Sequence, residues 1–144
     1  MDGEQVDVLY SGKTSYYSSN PSLNNELQVR NGKIFYNNLM NDQEFRPGRA
    51  YFYKELRLVG FLDLETKEKN NFLKFPDESV YASGKIFPHS AWVSHIAFSK
   101  DHLNVVFEGE PSLFIFEAKS PFSYIKKVEL DLKEFQFYQG VAEG

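Results

Sequence analysis

Few residues in this chain are of a type that does chemistry, and their spacing decides what each could do. There is no cysteine, so thiolate metal ligation, disulfide bonding and cysteine nucleophiles are excluded. The histidines are His89, His95 and His102. His89 and His95 share strand parity, so a sheet would point both to one face, while His102 falls in a turn. Zinc would need a third ligand, Asp101 or Glu108, in a helical or knuckle spacing that the sequence lacks. No metal site is expected. Ser94 and His95 join a hydroxyl to an imidazole, but neighbours on a strand point to opposite faces. No Gly-x-Ser-x-Gly elbow sharpens a serine nucleophile. The pairs Asp63/Glu65 and Glu129/Asp131 each share a strand face, as acid–base work requires; each also sits opposite an apolar face, the signature of the solvated side of a sheet. Gly12-Lys13-Thr14 matches the end of a phosphate-binding loop, but the glycine needed five residues earlier is Asp7, whose charge repels phosphate. No catalytic residue and no cofactor is expected.

Recognition is better supplied. Tyr16 and Tyr17, with Tyr10, place rigid aromatic area among Ser and Asn, the composition of a binding surface; the alternative is a surface loop whose tyrosines cover the edge of the core. Trp92, with His89 close before it, admits two readings. Either the face Trp92, Ser94, Ile96, Phe98 packs inward and the indole N–H finds an acceptor, or Trp92 is an exposed anchor for a partner. The net charge of −4, without a cluster of Lys and Arg, argues against nucleic acid. No apolar stretch approaches the ~20 residues that cross a bilayer. Met1-Asp2-Gly3-Glu4-Gln5 lacks the basic start and apolar run of a signal peptide. A cytoplasmic location without membrane contact is expected.

The elements that must position these residues are strands. Leu56-Arg57-Leu58, Leu62-Asp63-Leu64 and Val128-Glu129-Leu130-Asp131-Leu132 alternate apolar and polar side chains with a period of two. An aromatic content of 17% suits pleated surfaces. Val6–Tyr10 reads as a strand, residues 11–26 as a long Ser/Asn/Tyr-rich loop, and Leu27–Arg30 with Lys33–Tyr36 as a hairpin about Asn31-Gly32. Asn37–Glu44 reads as at most a helical turn, and Arg46-Pro47-Gly48-Arg49 as a turn. Ala50–Glu65 reads as one long strand bent or bulged at Gly60, and Asn71–Phe75 as a further strand. Ala91–Phe98, Leu103–Phe107 and Ser112–Glu117 read as a meander, in which Leu113-Phe114-Ile115-Phe116 suits a central strand covered on both faces. The last strand, within Phe122–Tyr138, changes apolar phase, which a bulge at Lys133-Glu134 would restore. Residues 1–144 are therefore expected to form a single all-β domain with little helix, an antiparallel β-sandwich or an up-and-down barrel of roughly eight to ten strands. An exposed edge at Ala50–Glu65 or Phe122–Tyr138 would invite strand pairing and a homodimer.

Residues 60–118 resemble a blade of the WD40 repeat family. His89-Ser90-Ala91-Trp92-Val93 stands where a His precedes a strand, Ile96-Ala97-Phe98-Ser99-Lys100-Asp101 where a Phe-Ser-x-Asp turn follows, and Leu62-Asp63-Leu64-Glu65-Thr66 where a preceding blade ends. Phe116-Glu117 occupies the place of the closing Trp-Asp, and no Gly precedes His89. A closed propeller needs at least four blades of about 40 residues, more than this chain provides.

The functional expectation is a non-enzymatic β-domain that binds a protein partner as an inhibitor, adaptor or immunity-type factor, with Tyr16, Tyr17, His89 and Trp92 as candidate contacts. The alternatives are a barrel or sandwich that holds a small apolar ligand or sugar among its Phe and Tyr side chains, and an enzyme built on a carboxylate pair or histidine.

Overall fold

The computed structural model describes residues 27–38, 48–88, 91–137 and 139–144 of the 144-residue chain. The expected strand Val6–Tyr10, the loop 11–26 and most of the turn Asn37–Glu44 lie outside the described residues. Within them the chain forms two antiparallel four-stranded sheets, each built from consecutive strands.

The first sheet contains β1 (Gln28–Arg30), β2 (Lys33–Asn37), β3 (Val59–Asp63) and β4 (Lys69–Phe72) in that order. Asn31 at φ 49° and Gly32 at φ 70° supply the two left-handed residues that a type I′ turn needs, so the Asn-Gly hairpin forms in its expected register. Gly60 is not a bulge. Pairing runs unbroken through Tyr36, Gly60 and Asn71, and a Cβ at Gly60 would fall 2.2 Å from the Tyr36 ring, which lies over the glycine.

The second sheet contains β5 (Ser94–Phe98), β6 (His102–Phe107), β7 (Glu110–Glu117) and β8 (Tyr124–Glu129), again in chain order. Register shifts occur at Val106/Phe107 and Ile115/Phe116. No strand passes Lys133-Glu134, where the chain makes a turn. Beyond β8, Leu130 and Leu132 stay substantially exposed, so the alternation from Val128 to Leu132 is not a core-facing strand. Strand β7 lies between β6 and β8, with Phe114 and Phe116 buried and Leu113 and Ile115 half-buried on its other face.

The reading of Ala50–Glu65 as one strand is corrected. Ala50–Glu55 is a helix, α1, and only Val59–Asp63 is strand, inside the sheet between β2 and β4. Phe52 and Leu56 share strand parity, but Phe52, Tyr53 and Leu56 at i, i+1 and i+4 also match one helical face, and with α1 ending at Glu55 and Leu56 as its C-cap all three are buried. Tertiary packing therefore decided between two periods that a short apolar stretch leaves open. Arg49 at the N-cap offers no side-chain acceptor. Instead Glu143 reaches back, accepting from the Ala50 N–H at 3.1 Å and pairing with the Arg49 guanidinium at 3.3 Å. A carboxylate suits the positive end of a helix, and here the opposite end of the chain supplies it.

The sheets pack face to face. Phe35 meets Phe98 at 4.7 Å between ring centroids, and the Gln28 amide bridges the seam, donating to Ile96 O at 2.6 Å and accepting from Phe98 N at 3.0 Å. Both sheets keep free edge strands among the described residues, so the arrangement is sandwich-like and not a closed barrel. One end of the interior is sealed by α1 and the 3-10 turn Val80–Ser83, where Phe52, Tyr53, Tyr81, Phe87 and Trp92 cluster.

Candidate binding cleft between the sheets

Among the described residues, the other end of the interior is open. The two-residue turn fixes Arg30 directly opposite Lys33. Antiparallel partners share a face, so the pairs Phe35–Phe61, Phe61–Asn70 and Val59–Phe72 carry the same surface across β2, β3 and β4. The side of the first sheet that looks toward the second is thus apolar in its centre and cationic at the hairpin. The loop 118–122 forms the opposite wall. It is held by Ala118 N–H donating to Asp101 O, Glu117 N–H to Ser123 O and Phe122 N–H to Lys119 O, at 2.7–3.1 Å. Phe122 has left-handed backbone, φ 59°, a conformation that costs a non-glycine residue on the order of 1–3 kcal/mol. In that conformation its ring stacks on Phe72 at 4.3 Å and 28°. Between these walls is a cleft of about 510 Å³ with Phe35, Phe61, Phe72 and Phe122 as floor and Arg30, Asn31, Lys33, Asn70 and Lys119 at the rim.

The electrostatics are one-sided. Like charges directly opposite on paired strands repel, yet Arg30 and Lys33 occupy such positions. Lys33 is ion-paired with Asp63, its register partner on β3, and its ammonium lies 5.0 Å from the Phe61 ring centre. That hydrogen bond, with the Thr66 and Glu65 N–H groups, lowers the Asp63 carboxyl to about 2. Arg30 donates to the carbonyls of Ser99 and Lys100 and lies over Phe98. Carbonyls orient the guanidinium without cancelling its charge. Among the described residues neither Arg30 nor Lys119 has a carboxylate partner, and no acidic residue lines the cleft. On a chain of net charge −4 this is a local positive site with an aromatic floor.

Of the residues expected from sequence to make contacts, only Trp92 is described, and it does not line the cleft. Tyr16, Tyr17 and His89 are outside the described residues. Trp92 is in the core, 4% exposed and edge-on to Phe52 at 5.0 Å. Of its two readings the structure gives the packed one, although the indole N–H has no acceptor among the described residues. Ser94 points inward to Asn37 at 3.5 Å, while His95 points out to Glu108 at 3.2 Å, so hydroxyl and imidazole diverge as strand neighbours must. No group of three metal-binding side chains forms among the described residues. Asp63 accepts from the Glu65 and Thr66 N–H groups, which assigns this member of the Asp63/Glu65 pair to turn formation.

Glu110 was not singled out. It is fully buried, accepts from Ser79 Oγ at 2.7 Å and pairs with Lys127 at 3.1 Å; Lys127 also holds Glu129, and Glu129 accepts from Ser112. Burial opposes the charge of the Lys127 ammonium, but the Glu129 and Glu110 carboxylates together outweigh it and raise its pKa. Buried at Glu110, Ser79 and Ser112 and open to solvent at Glu129, this chain of contacts ties the 3-10 turn to the second sheet. A second cleft of about 590 Å³ beside α1 is lined by Tyr51, Tyr53, Lys54, Lys74, Asp77 and Tyr81. Its charge is mixed by Asp77, and the hydroxyls of Tyr53 and Tyr81 are committed to the Phe87 and Ala91 carbonyls.

Comparison with protein-family models, with characterised proteins and with solved structures finds no match. The chemistry of the cleft therefore carries the functional argument alone. One sequence signal pointed to it: a two-residue turn flanked by Arg30 and Lys33 must juxtapose two cations. The loop Ala118–Phe122, distant in sequence, gave no comparable sign.

Proposed function

We propose that the protein is a non-enzymatic binding domain whose inter-sheet cleft receives an apolar side chain of a protein partner. The observation that carries this reading is an aromatic floor whose Phe61, Phe72 and Phe122 rings are only partly covered by the described residues, at a cationic rim. Covering roughly 100 Å² of such a floor contributes about 2.5 kcal/mol, and oriented donors at the rim add specificity. Because the cleft is open-sided, it suits a group that arrives on a chain. The loop 118–122, with Phe122 held in a strained conformation against Phe72, supplies the wall that such a group would contact.

A small apolar ligand or sugar is the second reading, favoured by a volume within the roughly 300–1,000 Å³ of small-molecule sites. Quantitative mass spectrometry of proteins retained by the wild type and by a Phe122→Ala/Lys119→Glu variant separates the two. A partner retained by the wild type and lost from the variant supports protein binding. Identical retention profiles, with a small molecule co-purifying in native mass spectra, support the second reading.

We propose that the two sheets are blade-like units of the kind found in WD40 repeats. Leu62-Asp63 closes β3 and Phe116-Glu117 closes β7, each the third strand of its own four-stranded meander. Equivalent placement of the two segments supports reading the sheets as successive blade-like units.

A further inference from the structure

We infer that the cleft selects an acidic partner segment, taking an aromatic ring onto the Phe72–Phe122 platform and an adjacent carboxylate at Arg30 and Lys119. This rests on the cleft being the binding site and specifies its occupant. The argument is charge complementarity. Among the described residues no carboxylate offsets the charge of Arg30 and Lys119, and none lines the cleft. Arg30 faces Lys33 directly, a repulsive placement that an incoming anion relieves. The guanidinium is already oriented by two carbonyls, so less freedom is lost when it takes a carboxylate. The rings beneath offer faces and edges for an aromatic side chain. A neutral apolar segment would leave both cations partly desolvated and unpaired, and a basic one would be repelled.

The test uses three acetylated, amidated tripeptides, Glu-Phe-Glu, Gln-Phe-Gln and Lys-Phe-Lys, and a single-stranded oligothymidylate. Each is titrated into the full chain and followed by amide chemical shifts. The expected order is Glu-Phe-Glu about ten-fold tighter than Gln-Phe-Gln, with Lys-Phe-Lys weakest, and an acidic advantage that shrinks from 50 mM to 500 mM salt. Lys119→Glu, on an exposed side chain, should reverse the preference while Trp92 emission stays unchanged. Equal binding of the glutamate and glutamine peptides at the cleft overturns the acidic selection and leaves the cleft as the site. Absence of shifts at the cleft with every peptide overturns both. Tighter binding of the oligothymidylate overturns the choice of a protein segment.

Discussion

The two ends of the inter-sheet interior use the same residue types to opposite effect. At the closed end Phe52, Tyr53, Tyr81, Phe87 and Trp92 are almost wholly buried, and both tyrosine hydroxyls bond main-chain carbonyls. Burial raises both tyrosine pKa values. At the open end Phe61, Phe72 and Phe122 are only partly buried and are ringed by Arg30, Lys33 and Lys119. What differs is the cover. Among the described residues a helix, a 3-10 turn and the segment at Val141, bridged to Ile86, close the first end, whereas the loop 118–122 borders the second. Aromatic content therefore does not say whether a ring holds the fold or waits for a ligand; the elements laid over it do.

The sharpest way to break this contrast is to truncate one ring at each end. Trp92→Ala should cost about 3–5 kcal/mol, as expected for a large buried side chain in contact with Phe52. Phe61→Ala should cost only about 1–2 kcal/mol, because its ring is partly exposed. Urea unfolding monitored by far-UV circular dichroism measures both. Equal costs would mean that the open end is ordinary core. Glu110→Gln probes what fastens the closed end and should cost about 2 kcal/mol, less than a fully enclosed pair because Lys127 keeps Glu129 and some solvent contact. The same unfolding experiment checks it, and loss of less than about 0.5 kcal/mol would remove the network as the fastening of the 3-10 turn.

The smallest expected effect concerns acid. The folded Asp63 carboxyl lies near 2, below its ordinary 3.8, so its contribution to stability is complete above about pH 4 and is lost as pH falls from there toward 2. Carbon-detected NMR of the side-chain carboxyl should give that low midpoint. In Asp63→Asn this acid dependence disappears and Lys33 loses its counter-charge, so affinity for Glu-Phe-Glu should rise roughly two- to five-fold by the worth of an exposed ion pair. A carboxyl titrating near 4, or an unchanged affinity, would show that Asp63 does not restrain Lys33.

Much of the fold was legible because the signals were local. The Asn31-Gly32 turn sets its own register, and the meander from Ser94 to Glu117 is a set of apolar-rich runs separated by polar turns. Alternation failed where a second period fitted the same residues, at Ala50–Glu55, and where an apolar series was never covered, at Leu130 and Leu132. The site was harder to read. Arg30 and Lys33 are joined by a turn whose geometry is known, but the Phe61 and Phe72 rings reach them only through sheet pairing. Lys119 and Phe122 arrive from a loop some ninety residues further along the chain. Position in sequence carries no trace of such proximity, and Trp92, the residue most conspicuous by type, serves the sealed end instead.

The most direct measurement of the difference between the two ends is a nitrogen-15 amide titration of the whole protein with phenylacetate, a ring carrying one carboxylate. Saturable shifts are expected at Arg30–Phe35, Phe61, Asn70–Phe72 and Ala118–Phe122, with Tyr53, Tyr81 and Trp92 unmoved. Shifts centred instead on Tyr51, Lys54 and Lys74 beside α1, or none at the cleft at saturating ligand, would contradict the assignment of the open aromatic end as the binding site.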